Sequence, residues 1–365
     1  MNFLSPRVDS RPEQVRADAA WTRPRHLAVA GHRRMAWRAV GEVGSQTWLV
    51  LHGGPGSGGQ AGLIAPFSSA GQAVVVPDQR GSGAGRPRGD LHGNHTSALV
   101  GDLETLRRAM GIERWSVLAG SWGTVLALAY AERHPERVER LVLRGAFAVS
   151  RRELRGVLAP GQQVRRRAGV ESLWPARDDD RGRRVLRRLQ QVLQSGTPGV
   201  TARRLLRHWN RVEQVLALRG MERTLRHVVR EGMPGVASQV RRQGALLRRA
   251  LRRERARARS HGITRQDRAS WQKFRIQAHY LRRRCFIRPG QLDGAVRQLA
   301  QAGVPMDWVH GRFDAVCPMA NSLRWHRLAQ AVAPGCSRLH QPICGHLAAE
   351  PTMWATLRAL VDPCR

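Results

Sequence analysis

Short apolar runs alternate with amphipathic stretches through the first half of the chain, and this alternation restricts the folds available to it. The runs are rich in valine and leucine, which favour strands, and the stretches between them repeat their apolar residues at helical spacing. The predicted strands lie at 48–51, 74–76, 116–119 and 141–143, and the predicted helices at 94–110 and 125–133. Because parallel strands need a crossover connection, this order predicts an α/β protein with a mostly parallel sheet flanked by helices.

The alternation stops near residue 150 and resumes near residue 290. Arginine-rich segments fill the interval, with helices predicted at 203–218 and 240–259, and strands return at 306–309 and 338–340. A sheet pattern that pauses and resumes indicates an insertion within one domain. We therefore expect a core formed by 1–149 and 290–365, with an inserted helical cap domain at 150–289.

Ser121 lies between a predicted strand and a predicted helix. Ala119 and Gly123 stand two residues before and two residues after it, so both flanking positions are small. A strand–turn–helix with small flanking residues permits the sharp turn that exposes a serine Oγ above a sheet. The pattern predicts Ser121 as a nucleophile, and the alternative is a tight structural turn.

A serine hydroxyl is a weak nucleophile until a base accepts its proton. On this kind of sheet the acid and the histidine follow the serine in that order. Asp314 comes just after a predicted strand, and His346 lies on a late loop. Asp314 would orient His346, which would act as general base and then general acid. Other histidines lack this position and are expected to be structural, among them His52, His310 and His340.

A tetrahedral intermediate also needs two hydrogen-bond donors for its oxyanion. The backbone N–H of Trp122, directly after the serine, is one candidate. The glycine-rich loop at 52–56 follows the first strong strand, and its glycines allow the backbone to approach a substrate closely. We expect Gly54 to supply the second donor, and an ordinary turn is the alternative.

The charge balance is strongly basic, with 62 Lys and Arg against 27 Asp and Glu, a formal net charge of +35. Lys273 is the one lysine in the chain. This charge favours non-specific binding to polyanions. No nucleic-acid-binding motif is present, so a specific nucleic-acid partner is not expected. The alternative is a basic but solvated surface.

Five cysteines, an odd number, fit neither a zinc site nor a disulfide framework, so reduced thiols are expected. No metal or cofactor is expected. No apolar run approaches the about 20 residues needed to cross a bilayer, and the N-terminal stretch is polar. These features predict a cytoplasmic protein without a membrane partner. The oligomeric state is open.

With these motifs together, the chain resembles the proline iminopeptidases, which are serine peptidases of the α/β-hydrolase fold. The resemblance rests on the segments 52–56, 78–83, 101–104, 120–123, 141–145, 310–318 and 345–346. It implies the α/β-hydrolase fold and a metal-free enzyme that removes an N-terminal residue, usually proline, from a short peptide.

The resemblance implies substrate-binding residues, and here the sequence departs from the family. Glu213 matches the cap glutamate that binds the substrate α-amine, whereas Gln277 stands where the family has a second glutamate. Leu281 replaces a phenylalanine, and Phe147 matches one aromatic residue of the proline pocket. The alternative for Glu213 is an ion pair with Arg211 or Arg219.

The resulting hypothesis is an aminopeptidase that acts on short peptides with a small or cyclic first residue. One rival keeps the catalytic residues but hydrolyses a non-peptide ester or amide. A second rival is a non-catalytic, basic, polyanion-binding protein on the same scaffold.

Overall fold

The computed structural model describes residues 20–42, 46–67, 72–158, 160–170, 181–193, 199–257 and 262–362. The strands are β1 Arg25–Val29, β2 Arg33–Val40, β3 Thr47–Leu51, β4 Ala73–Pro77, β5 Trp115–Gly120, β6 Val138–Arg144, β7 Met306–Val309 and β8 Ser337–His340. The helices are α1 Thr96–Ala109, α2 Trp122–Arg133, α3 Arg151–Leu158, α4 Gln162–Ala168, α5 Arg181–Leu193, α6 Val200–Arg230, α7 Pro234–Arg257, α8 Arg265–Arg282, α9 Gln291–Gln301, α10 Ala320–Val332 and α11 Pro351–Val361.

The strands of the described residues form one eight-stranded sheet in the order β1-β2-β4-β3-β5-β6-β7-β8. All pairs from β4 to β8 are parallel, and β1 and β2 join the edge in antiparallel pairing. The predicted mostly parallel α/β sheet is confirmed. The hairpin β1–β2 was not predicted, because its strands carry several exposed or charged residues and lack the long apolar run of a central strand.

The central strands of the sheet are composed of mostly apolar residues, which favours their burial in the middle of the sheet. Every residue of β3 and β4 is buried, as are the first five of β5. Strands that are covered on both faces read as continuous apolar runs, which explains why the sequence identified them. Helix α2 packs on this sheet and is buried from Trp122 to Ala131. The carboxyl ends of β5, β6 and β7 therefore meet at one edge, where the predicted site residues follow.

Between β6 and β7, all regular secondary structure in the described residues is helical. Helix α6 is longer than the predicted 203–218, and α7 ends at Arg257, so 258–259 of the other prediction lie outside the described residues. Some arginines of this region are buried with acids: Arg207 pairs with Asp267 at 2.8 Å. In the part of the chain that the structure describes, no helix has the length and apolar character needed to cross a membrane.

Candidate active site

Ser121 lies at the turn between β5 and α2 with φ 55° and ψ −124°, a left-handed conformation that non-glycine residues rarely adopt. Its N–H donates to the carbonyl of Arg144 at 2.9 Å, which ties the turn to the end of β6. A methyl group at Gly123 would lie 2.6 Å from the carbonyl oxygen of Leu51. The small residue after the serine is therefore required by backbone packing, as the sequence pattern predicted.

Asp314 and His346 form a buried pair, with His346 Nδ1 2.7 Å from Asp314 Oδ2. The other carboxylate oxygen of Asp314 accepts the N–H groups of Val316 at 2.8 Å and Cys317 at 2.9 Å. Burial alone would raise the pKa of Asp314, but its two histidine neighbours lower that pKa well below the usual range. The carboxyl group is therefore a permanent anion that can orient His346.

The pair lies beside Ser121. Gly145, the residue after β6, has φ +54°, and a methyl group there would lie 3.2 Å from His346 Cε1 and 3.4 Å from Asp314 Oδ2. Burial raises the pKa of the Cys317 thiol, and a hydrogen bond with the Ser121 side chain opposes that rise. The acid loop thus contacts the serine directly. His346 Nε2 is buried and has no hydrogen-bond partner among the described residues, so it is available to accept a proton.

Two further charged residues that the sequence did not reveal hold this arrangement. The guanidinium of Arg144 donates to the backbone carbonyl of His346. Glu350 accepts the N–H groups of Gly345 at 2.7 Å and Leu347 at 3.0 Å, on either side of that histidine. Burial raises the pKa of Glu350 to about 7. Both residues fix the His346 loop. The one sequence signal for either was that Arg144 lies in the segment 141–145, which resembles the family.

The pH profile of kcat/KM should show an acid limb set by His346, and its midpoint should lie below the ordinary histidine pKa. Burial lowers the pKa of His346, and Asp314 opposes this only in part. The base is active when neutral, so kcat/KM for an uncharged ester should stay on its plateau as the pH falls through about 6.5. The same profile in Glu350→Gln removes a second buried group of this loop, whose pKa is raised to about 7. A limb at or above 6.5 in both proteins would contradict the assignment of His346 as the base.

The loop at 52–56 is braced against the serine. A methyl group at Gly53 would lie 3.4 Å from Ser121 Cβ. Gly53 is therefore the glycine of this loop that lies against the serine, whereas Gly54 was the predicted donor. Gln79 connects the loop to the helix: its Nε2 donates to the carbonyl of His52 at 2.9 Å, and its Oε1 accepts from Trp122 Nε1 at 3.0 Å. Both predicted oxyanion donors therefore lie in segments next to Ser121, and their role stays a prediction.

The other histidines make separate contacts. His52 is buried, which lowers its pKa to about 4, and its Nε2 accepts the N–H of Gln79 at 3.2 Å. His310 Nε2 lies 3.4 Å from Asp314 Oδ2, so it touches the acid although it was expected only to be structural. His340 at the end of the edge strand β8 pairs instead with Asp307 of β7 at 2.8 Å.

Glu213 on α6 and Gln277 on α8 come together, as the resemblance implied: Gln277 Nε2 donates to Glu213 Oε1 at 3.2 Å. The proposed alternative partners of Glu213, Arg211 and Arg219, are wrong. Lys273, which the sequence did not single out as a site residue, pairs with Glu213 Oε2 at 2.6 Å.

The two apolar residues assigned to substrate binding are both buried. Leu281 follows Gln277 by one turn of α8 and is 5% exposed. Phe147 is 9% exposed, and its N–H donates to Thr124 Oγ1 at 3.2 Å, close to the serine turn. Their contact with a substrate stays a prediction.

The chain belongs to the alpha/beta hydrolase fold family, whose model matches residues 48–350. It is similar to the proline iminopeptidase of Xylella fastidiosa (strain 9a5c), with 44% identity over 128 residues, 35% of this chain and 41% of that protein. The matched part therefore spans about two fifths of that relative. A putative proline iminopeptidase of Mycoplasma pneumoniae is 28% identical over 331 residues, 91% of this chain and 94% of that protein. The resemblance to proline iminopeptidases is confirmed.

Solved structures agree on the fold. A putative lipase from Acinetobacter baumannii AYE matches with a TM-score of 0.55 at 13% identity, covering 96% of this chain and 93% of that one. An esterase from Thermogutta terrifontis has a TM-score of 0.52 at 18% identity, covering 93% and 97%. At these identities the likeness shows the fold alone. Family and relatives together support a hydrolase.

Proposed function

We propose that the protein is a serine hydrolase of the proline iminopeptidase type that cleaves the amide bond after the first residue of a short peptide. The observation that carries the proposal is the buried His346–Asp314 pair at 2.7 Å beside the strained Ser121 turn. A buried, permanently ionised carboxylate and an unoccupied imidazole nitrogen are the requirements of a catalytic base.

In the proposed reaction, Ser121 Oγ attacks the substrate carbonyl carbon while its proton moves to His346 Nε2. The backbone N–H groups of Trp122 and Gly54 stabilise the oxyanion. As the tetrahedral intermediate collapses, the carbon–nitrogen bond breaks and His346 gives the proton to the leaving amine. Water then repeats the sequence on the acyl-enzyme, and Asp314 stabilises the imidazolium in both halves.

The proposal assigns the acyl-side contacts to the helical insertion at 150–289, acting as a cap domain, together with Phe147 of the core. Glu213 and Gln277 would contact the first nitrogen, and Phe147 and Leu281 the side chain. The names of the curated relatives support a peptide substrate, and a cytoplasmic location stays a prediction. The rival that hydrolyses a non-peptide ester or amide uses the same three residues. The polyanion-binding rival gives no reason for a buried His–Asp pair beside a strained serine.

A panel of chromogenic substrates tests the proposal. We expect turnover of aminoacyl anilides with a small or cyclic first residue, prolyl among them, at a higher kcat/KM than simple acyl anilides of the same leaving group. Simple acyl esters serve as a reference because they need only the catalytic residues. Turnover of the esters without any aminoacyl anilide would favour the non-peptide rival. No turnover of any acyl substrate, alongside salt-dependent binding to nucleic acid, would favour the polyanion-binding rival.

A further inference from the structure

The outer face of α7 carries exposed arginines that the proposed reaction does not use. This helix has eight arginines and one acid, Glu254, which is buried. Its inner face packs against α6 through apolar residues that include Val240 and Leu247. Five arginines are exposed, and we call them the arginine row: Arg241, Arg242, Arg249, Arg252 and Arg253.

The arginine row is narrow and continuous. At 3.6 residues per turn, its five members lie within an arc of about 120° around the helix axis and extend over about 18 Å along it. Between Arg241 and Arg253, the same arc of a regular helix contains one further residue, the small Ala245. The row is therefore a strip of guanidinium groups without large or acidic side chains between them.

The acids nearby do not neutralise the arginine row. Within the part of the chain that the structure describes, none of the five forms an ion pair or a side-chain hydrogen bond. The acids at the end of the adjoining helix α6 have other partners: Glu222 pairs with Arg167 at 2.6 Å, and Glu231 pairs with Arg230 at 3.2 Å. The row thus keeps its positive charge uncompensated at the surface.

This arrangement is unfavourable for the isolated helix. Arg249 stands three residues before Arg252 and four before Arg253, the spacings at which side chains on a helix are neighbours. Like charges at these spacings destabilise a helix, whereas a glutamate at one of the positions would stabilise it. An anionic partner along the row would remove the repulsion, which a merely solvated surface leaves in place.

The side chains of the row favour one kind of polyanion. Guanidinium groups bind phosphates in bidentate geometry. A membrane-binding helix carries large apolar residues, and a site for single-stranded nucleic acid uses aromatic side chains for stacking, but the arc offers only Ala245 besides arginine. Duplex RNA is contacted largely through its 2′-hydroxyls. Duplex DNA presents about five phosphates per strand over 18 Å, which matches five arginines.

We propose that the arginine row is a binding surface for the phosphate backbone of double-stranded DNA, which it contacts without reading the base sequence. The inference goes beyond the proposed function, because none of the five arginines takes part in the proposed reaction. The net charge of +35 would by itself attract DNA to many parts of the surface. The proposal is that the affinity is concentrated on this one face of α7.

Fluorescence anisotropy with a labelled DNA duplex of about 20 base pairs measures this binding, in a salt series from about 50 to 200 mM. The logarithm of the association constant should fall linearly with the logarithm of the salt concentration, by about 0.9 for each phosphate neutralised. The triple variant Arg249→Gln, Arg252→Gln and Arg253→Gln should reduce this slope by about 2.7 and weaken binding by about 10-fold or more at low salt.

A matched control removes the same charge from the core. Arg108, Arg133 and Arg297 are exposed on α1, α2 and α9, and their joint replacement by glutamine should leave the affinity and the slope near the wild-type values. The pair Arg241→Gln and Arg242→Gln tests the other end of the row. It should reduce the slope by about 1.8, and it keeps the test decisive if the triple variant does not fold.

DNA binding and hydrolysis should be independent. The variants of the row should keep the wild-type rate on a simple acyl ester, and Ser121→Ala should bind the duplex as tightly as wild type does. Failure of the proposed function would therefore appear in the ester assay and leave the anisotropy result intact.

Equal losses of DNA affinity in the triple variant and in its core control would overturn the proposal, since the binding would then follow the total charge. An unchanged slope in both variants of the row would do the same. Duplex RNA of the same length, polyglutamate and vesicles containing phosphatidylserine are the competing probes. Tighter binding of any of them than of duplex DNA would show that the row serves a different partner.

Discussion

Ser121→Ala is expected to lower kcat by about 10⁶-fold while the protein stays folded, because it removes the proposed nucleophile. The nearest candidate is the thiol of Cys317, which hydrogen-bonds the Ser121 side chain, but burial raises its pKa well above the ordinary range. A thiol that stays protonated is a poor nucleophile. Turnover of a chromogenic ester and thermal unfolding by circular dichroism measure the two parts of this prediction.

Ser116→Ala is the matched control. This serine lies near the start of β5, the strand that ends just before Ser121, and its hydroxyl donates to Glu139 at 3.0 Å. The substitution should change stability slightly and leave kcat near the wild-type value. An active Ser121→Ala protein, or equal losses in both variants, would contradict Ser121 as the nucleophile.

Asp314→Asn should lower kcat by about 10⁴-fold, through the tautomer of His346. The amide oxygen can continue to accept the N–H groups of Val316 and Cys317, which turns the amide NH₂ toward His346 Nδ1. That nitrogen must then accept a hydrogen bond, so the proton moves to Nε2, where it faces the serine and prevents proton uptake. Measurement of kcat with a good leaving group, together with unfolding curves, would reveal the effect.

Asp307→Asn is the matched control, because it alters a second His–Asp pair in the same sheet, in which Asp307 is buried and His340 is partly exposed. Asp307 contacts His340 at 2.8 Å and Arg140 at 2.9 Å, and it lies on β7, two strands away from β5, which leads to the serine turn. This variant should lose stability and keep its kcat. If Asp307→Asn abolished turnover and Asp314→Asn retained it, the assignment of the acid would be wrong.

The sequence predicted those parts of the molecule that depend on local pattern and chain order. Central strands such as β3 are apolar throughout because both faces are covered, and the serine turn combines small residues with a strand and a helix. Asp314 and His346 followed from their order after the serine, since the topology places the loops after parallel strands at one edge.

Contacts between distant segments could not be predicted in the same way. Lys273 lies 60 residues from Glu213, and no local pattern reveals which charge on α8 meets which charge on α6. From sequence, nearby arginines were the expected partners of Glu213, but Arg211 and Arg219 lie two residues before it and six after it on α6, and side chains at these spacings do not face each other on a helix. The strand pair β1–β2 was missed for a different reason: its antiparallel position at the edge tolerates charged side chains that obscure the pattern.

The burial of Lys273 also determines how the protein would respond to chemical labelling. Every other basic side chain that carries a permanent charge is an arginine, which acylating and alkylating amine reagents do not modify at neutral pH. Apart from the chain's α-amine, Lys273 is the one primary amine that such reagents can modify, and its side chain is only 2% exposed between the helices α6 and α8. The rate at which Lys273 becomes labelled would therefore report how often these two helices separate, which makes a single native side chain an internal probe of opening above the site.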